Sequence, residues 1–92
     1  MQAVAHVTTT HASRYLQQLC KHWSHKFPVQ FTAEHGRVEL PVAVLEMDAA
    51  TDALALRLEA PDDQIERMQG VVADHVRRFA FKEDLQFAWT TA

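Results

Sequence analysis

Residue types that would indicate a specialised site are scarce in this chain of 92 residues. Its single cysteine, Cys20, cannot form an internal disulfide, which favours a reducing compartment. The two glycines, Gly36 and Gly70, are too few for a glycine-rich phosphate loop. No apolar run of about 18 residues could span a bilayer, and the N-terminus lacks the features of a signal peptide. We therefore predict a cytoplasmic protein without a membrane span.

Acidic side chains are missing from the first third of the chain. Residues 1–33 carry Arg14, Lys21 and Lys26 but no Asp or Glu, although the whole chain has a net charge of −3. Four of its six histidines also lie in this third, and they would add positive charge on mild acidification. Because the chain is acidic overall and has no dense Lys/Arg stripe, nucleic acid is excluded as a predicted partner.

Two segments have apolar residues at helical spacing. The first runs from Thr10 to Phe27, with Thr9 or Thr10 as the expected N-cap, and Pro28 ends it because proline disfavours a helical residue before it. The second begins at Pro61, since proline suits the first turn of a helix. The apolar stripe of the first helix consists of Ala12, Leu16, Leu19, Cys20, Trp23 and Phe27, and that of the second consists of Ile65, Met68, Val72, Val76 and Phe79.

Alternation of apolar and polar residues predicts strands in the remaining segments. His35 and Gly36 indicate a turn, and a one-residue change of phase at Pro41 fits a bulge or kink. The last predicted strand contains Leu85 and Trp89. The predicted strands are 3–8, 29–32, 37–47, 54–59 and 85–89.

The resulting order is β-α-β-β-β-α-β in a single domain over residues 1–92. Each helix is apolar on one side only, and most strands alternate. This pattern favours an α+β fold, a two-layer sandwich in which two helices cover one face of a largely antiparallel sheet. The other face, with His6, Gln30, Thr32, Arg57 and Glu59, is expected to be solvated or covered by a partner.

Two segments resemble a known family. They are HASRYLQQLCKHWSHKF at residues 11–27 and ADHVRRFAFKE at residues 73–83, followed by Trp89. They are similar to a small bacterial domain-of-unknown-function family, number 2218. Relatives of this family look like the N-terminal module of siderophore-interacting flavoproteins, which reduce chelated ferric iron. The resemblance therefore implies an accessory role in siderophore or iron handling. The chain has no flavin-binding domain, and no cofactor is predicted.

The first helix is predicted to present a basic stripe to solvent. At 100° per residue, its members fall within roughly a third of a turn, and no acidic residue of the helix balances them. Such a stripe suits an anionic small molecule, a ferric chelate or an acidic protein surface. Alternatively it is a solvated face paired with the acidic second half of the chain. The stripe consists of His11, Arg14, Gln18, Lys21, His22 and His25.

Three histidines are candidates for chemistry. His22 and His25 are three residues apart, so their rings could share a metal ion, although the helix supplies no third ligand. His75 could act as a ligand or proton-transfer group in a groove between helix and sheet, near Phe79 and Trp89. Alternatively it is a partly buried histidine bonded to backbone. No motif places a nucleophile beside a base, so no catalytic residue is assigned.

We therefore predict a binding or accessory module, expected to be a homodimer, with its ligand on the first helix. Close approach by another chain would explain Gly70 on the polar side of the second helix; so would neutral drift. Trp89 is expected to be partly exposed and could mark an interface. The alternative is a small metal-dependent protein or enzyme that uses His75 or the His22–His25 pair.

Overall fold

The computed structural model describes residues 1–91. The two helices are α1 (Ala12–Trp23) and α2 (Ile65–Phe79). The six strands are β1 (Gln2–Thr8), β2 (Val29–Phe31), β3 (His35–Leu40), β4 (Ala43–Ala49), β5 (Ala53–Glu59) and β6 (Thr90–Thr91). No helix in residues 1–91 combines the length and apolarity needed to cross a bilayer.

The strands form one sheet in the order β2-β3-β4-β5-β1-β6, and every neighbouring pair is antiparallel. Helix α1 packs on β2 to β5, whereas α2 packs on β1 and β5 and contacts α1. Both helices share one hydrophobic core with the same face of the sheet. The predicted α+β fold and order of elements are confirmed, with one additional strand.

The additional strand arises at Pro41. Leu40 and Ala43 are paired across a two-residue turn, so the predicted bulge is a hairpin that separates β3 from β4. Cross-strand partners share a face of the sheet, and therefore even-numbered residues are buried before the turn and odd-numbered residues after it. No residue within 1–91 has a positive φ, so this turn requires negative φ values. Proline fits the turn because its ring fixes φ at a negative value.

Gly36 is not part of a turn, contrary to the prediction. The turn lies at residues 32–34, where the Thr32 N–H donates to the carbonyl oxygen of His35 (2.8 Å). Gly36 is buried inside β3. A Cβ atom there would lie 2.8 Å from the Cys20 sulfur and 3.2 Å from Leu16 Cδ2. Glycine is therefore required because α1 approaches the strand closely.

Helix α1 is shorter than predicted at both ends. Its N-cap is His11, which makes no capping side-chain hydrogen bond, so neither threonine is the cap. The helix ends at Trp23, whose carbonyl accepts the N–H groups of Lys26 and Phe27 in a closing turn (3.0 and 2.9 Å). His25 therefore lies beyond the helix.

The predicted last strand is also different. Leu85 is buried and Trp89 is half-buried, but the segment has no ladder hydrogen bonds. Of the described residues at this end of the chain, only Thr90 and Thr91 pair, with Val4 and Ala3 of β1. The alternation correctly indicated which side chains face the core, but side-chain periodicity carries no information on whether the backbone has a partner.

Candidate functional site

Two clefts lie beside α1. The first, named here the Arg14 cleft, measures about 440 Å³ and the second, the Trp23 cleft, about 310 Å³. The Arg14 cleft is lined by His11, Arg14, Tyr15, Gln18, Phe79, Phe81, Lys82 and Glu83. The Trp23 cleft is lined by His22, Trp23, Lys26, Phe27, Leu40, Pro41, Val42, Arg67, Met68, Val71 and His75.

The Arg14 cleft unites three residues of the predicted basic stripe. Arg14 and Gln18 project from α1, His11 lies at its N-cap, and Lys82 lines the same cleft from the segment after α2. Phe81 also lines this cleft and is 78% exposed, so it is not part of the core. The cleft therefore combines basic groups with an accessible aromatic ring.

A carboxylate at one side of the Arg14 cleft is held by two hydroxyl groups. Tyr15, which is buried, donates its O–H to Glu83. The buried Thr9 hydroxyl donates toward both oxygens of the same carboxylate (3.0 and 3.1 Å). The hydrogen bond from Tyr15 lowers the pKa of Glu83, while burial, followed by the hydrogen bond to Glu83, raises the pKa of Tyr15. Glu83 therefore remains an anion and limits the positive charge of this cleft.

The Trp23 cleft has an apolar floor and a basic rim. Trp23, Leu40 and Met68 are buried and form part of the floor, whereas Lys26 and Arg67 are exposed at the rim. Among the described residues that line the cleft, none is acidic. The arrangement matches ordinary ligand sites, in which apolar walls bury the ligand and a few polar groups orient it.

His75 occupies the α1 side of α2, at the Trp23 cleft. Its ring centroid lies 5.0 Å from that of Trp23 and 5.7 Å from that of His22. Its Nδ1 is 2.7 Å from the carbonyl oxygen of Val71. The structure thus shows the backbone bond that was the alternative for His75, and the ring contacts of His75 among the described residues are with Trp23 and His22 on α1 and not with Trp89.

The predicted stripe does not form one continuous site. His11, Arg14 and Gln18 line one cleft and His22 lines the other. Three more of the predicted residues line neither cleft: Lys21 and His25 are exposed, and Trp89 packs partly buried against the core.

Sequence reasoning missed Lys26, Arg67 and Lys82 as cleft residues. The sequence could have indicated Lys26, because it lies just beyond His22 on the predicted helix. For Arg67 and Lys82 no local signal existed, since both meet α1 only through tertiary packing.

The Lys and Arg side chains in the first third of the chain form no ion pairs with described residues. Within residues 1–91, the ion pairs are Met1 amino–Asp62, His35–Asp48, Arg37–Glu46, Arg57–Glu46 and Arg77–Asp74. Arg14, Lys21 and Lys26 take part in none of them. The predicted alternative, in which the acidic second half of the chain neutralises these cations, therefore finds no support in direct contacts.

A protein-only metal centre is not formed by the described residues. No three His, Cys, Asp or Glu side chains in residues 1–91 converge on one point. Cys20 is buried, and burial raises its pKa to about 11, so the thiolate that binds metals is disfavoured. His22 contacts Phe79 and His75, and no ring contact joins it to His25 among the described residues.

Comparison with known proteins identifies a bacterial family and a solved structure that are similar to this chain. The family model "Uncharacterized protein conserved in bacteria (DUF2218)" matches residues 4–90. The NMR structure of PA4090 from Pseudomonas aeruginosa is 42% identical, with a TM-score of 0.80, over 97% of this chain and 94% of that chain. No match was found among curated proteins.

Proposed function

Since the chain belongs to DUF2218, a family of uncharacterized proteins conserved in bacteria, we propose its function from the site itself: a small module that binds an organic anion with an apolar body in the Trp23 cleft. One observation carries this proposal. A cleft of about 310 Å³ joins an apolar floor to basic side chains, with no acid among its described lining residues.

The floor supports binding of an aromatic or aliphatic body. Trp23 and Met68 present apolar surface from the two helices, and Leu40 adds surface from β3. Each Å² of apolar surface removed from water contributes roughly 25 cal/mol, so a ring-sized ligand gains most of its affinity here. The fixed helices supply this surface without a folding step.

The rim supports recognition of a carboxylate, phosphate or catecholate group. The Arg67 Nε donates to the side-chain oxygen of Gln64 (2.9 Å), which orients the guanidinium and leaves its terminal amino groups available. Planar guanidinium groups bind two oxygens of an anion at once, whereas the Lys26 ammonium acts as a point charge. Together they favour an anion over a neutral analogue of the same shape.

The role in siderophore or iron handling is a narrower form of the same proposal. A ferric catecholate or its free aromatic ligand belongs to the chemical class that this cleft suits. In that case the protein is an accessory module that binds the chelate. An acidic protein surface is the competing occupant, and it would contact Lys21 and His25 as well as the cleft.

Titration of the labelled protein tests the proposal. The protein is titrated with salicylate, 2,3-dihydroxybenzoate, octanoate and a ferric catecholate, and the NMR chemical shifts of its backbone amides are recorded. We expect these chemical shifts to change around Trp23, Met68 and Val71. Lys26→Gln and Arg67→Gln should each weaken binding about fivefold, because an exposed charge contact contributes up to ~1 kcal/mol.

Lys21→Gln is the matched control, since Lys21 is exposed, carries the same charge and lies outside both clefts. It should leave the affinity unchanged. Equal losses in Lys21→Gln and Lys26→Gln would indicate a general charge effect and would contradict a defined site. Shifts confined to the Arg14 cleft, or no binding by any of these anions, would also overturn the proposal.

A further inference from the structure

We propose that His22 and His75 form a two-imidazole site for a divalent transition metal, which joins α1 to α2 at the rim of the Trp23 cleft. This inference goes beyond the binding of an organic anion and does not depend on it. It replaces the pair His22 and His25, because His25 lies beyond α1 and the structure brings the His75 ring to His22.

The two rings lie at a suitable separation. For tetrahedral zinc, a metal–nitrogen bond of about 2.0–2.1 Å places two ligating ring centroids roughly 5 Å apart. The centroids of His22 and His75 are 5.7 Å apart and their planes are inclined by 45°. Since His22 is exposed on α1, a small rotation of its side chain closes this difference without moving either helix.

The hydrogen bond of His75 selects the tautomer that a metal requires. A carbonyl oxygen can only accept, so Nδ1 must donate its proton to Val71 one turn earlier in α2. In the neutral ring, Nε2 is then left with a lone pair. Ligating histidines commonly donate their other nitrogen to a backbone carbonyl or carboxylate, which fixes the ring. His75 therefore already makes the supporting contact of a ligand.

Aromatic neighbours hold both rings. Trp23 packs on His75 with a centroid distance of 5.0 Å, and Phe79 meets His22 edge to face at 5.9 Å. The contact with Trp23 limits the rotamers of the half-buried His75 imidazole, which lowers the entropy lost when a metal binds. The two aromatic contacts also keep the site at the junction of the two helices.

Chemistry defines the class of metal. Imidazole nitrogen suits zinc, copper and nickel better than magnesium or calcium. With two protein ligands, the remaining positions belong to water or to an anionic ligand in the cleft. Lys26 and Arg67 line the same cleft and oppose the charge of a cation. We therefore expect micromolar affinity for Zn²⁺ or Ni²⁺ alone, weaker than that of a structural zinc centre.

Calorimetric titration of untagged protein with Zn²⁺ and with Ni²⁺, without organic anion, tests the site. We expect at least tenfold weaker binding in His22→Ala and in His75→Gln, because a single imidazole cannot chelate. His25→Ala is the control, since His25 is exposed and lies outside the cleft. It should bind as the native protein does.

A second measurement addresses variants that fold poorly. Substoichiometric Cu²⁺ broadens the amide resonances nearest to the bound ion in the native protein. Broadening centred on His22 and His75 supports the site, whereas broadening centred on His6, His25 or His35 overturns it. Equal losses in His25→Ala and His22→Ala, or no measurable binding of any of the metals, would overturn it as well. Anion binding that persists without metal would leave the proposed function intact.

Discussion

At the residue scale, the two glycines occupy opposite environments. Neither has a positive φ, so neither is required for a left-handed backbone conformation. Gly36 lies in β3 where α1 approaches the strand closely, and a Cβ atom there would lie within 3.3 Å of Cys20, Leu16 and Met47. Gly70 lies on the exposed side of α2, where such a Cβ would meet no described atom within 4 Å apart from its chain neighbours and the adjacent helix backbone. The same substitution is therefore expected to have opposite effects at the two positions.

Gly36→Ala should lower the free energy of unfolding by about 1–3 kcal/mol, the usual cost of an extra methyl group in a packed core. The Cys20 sulfur belongs to a short buried side chain and cannot move away freely. Urea denaturation followed by tryptophan fluorescence measures the change. An unchanged midpoint would mean that α1 shifts away from the sheet without cost.

Gly70→Ala should raise the free energy of unfolding by about 0.5–1 kcal/mol, because alanine restricts the unfolded chain and favours the helix. The substitution serves as the matched control for Gly36→Ala in the same denaturation experiment. A loss of stability in Gly70→Ala would instead indicate that another chain covers this part of α2.

At the element scale, one carboxylate joins α1 and the end of β1 to the segment after α2. Glu83 accepts hydrogen bonds from Thr9 and Tyr15, which are 74 and 68 residues away in the chain. Its pKa is lowered by the bond from Tyr15, so the folded state binds a proton less readily than the unfolded state. The stability from this contact is present above the unfolded pKa of about 4.3 and is lost as pH falls through the lower folded pKa.

Glu83→Gln should therefore flatten the acid side of the stability profile. Melting temperatures between about pH 3 and pH 7 test this, since neutral glutamine gains nothing from deprotonation. Tyr15→Phe should flatten the acid side of the profile to a smaller extent. It should also lower the melting temperature by a few degrees at neutral pH. Asp84→Asn is the control, because Asp84 is exposed and adjacent to Glu83. If Asp84→Asn changes the profile as much as Glu83→Gln, the Thr9–Tyr15–Glu83 contact is not its source.

The raised pKa of Tyr15 also predicts how the stability of the protein changes in alkali. Burial raises its pKa above 10, so the folded state retains the phenol proton longer than the unfolded state does. The corresponding stability is complete below the unfolded pKa and is lost as pH rises through the higher folded pKa. The shifted pKa values of Glu83 and Tyr15 therefore limit the stability contributed by their contact to the pH range between acid and strong alkali.

At the scale of the whole molecule, the sheet is covered on one face only. Its open face carries an ion-paired row in which Glu46 contacts Arg37 (3.1 Å) and Arg57 (3.6 Å). The large apolar side chains exposed among the described residues are Met1, Val42 and Phe81. Phe81 is the most exposed of them and lies beside basic residues of the Arg14 cleft. Of these side chains, Phe81 would contribute most to the free energy of association if a second copy of the chain buried it.

We expect a homodimer, and Phe81→Ser should shift it toward monomer. Stable interfaces bury about 800 Å² on each partner, and aromatic residues at their centre contribute most. Sedimentation velocity over a range of concentrations measures the equilibrium. Val42→Ser is the control, because Val42 is also an exposed apolar residue but lies at the β3–β4 turn, where it lines the Trp23 cleft. A native protein that remains monomeric at every concentration would contradict the expectation.

Sequence periodicity was most reliable where it reported burial. The stripes of α1 and α2 predicted buried Leu16, Trp23 and Val72, and the alternation in β5 predicted its buried leucines. Periodicity was less reliable for boundaries, because helix ends and turns depend on a few local contacts. The closing turn after Trp23 and the hairpin at Pro41 are both of this kind.

Local spacing therefore determined the kinds of element, their order and the side of each that is buried, because periods of 3.6 and 2 follow from backbone geometry. Only the tertiary structure decided which distant side chains meet. His22 faces His75, Lys82 joins Arg14, and Glu83 reaches Tyr15 because two helices settle on one sheet at positions set by packing. Such pairings depend on the complementary shapes of whole elements, which no window along the chain contains.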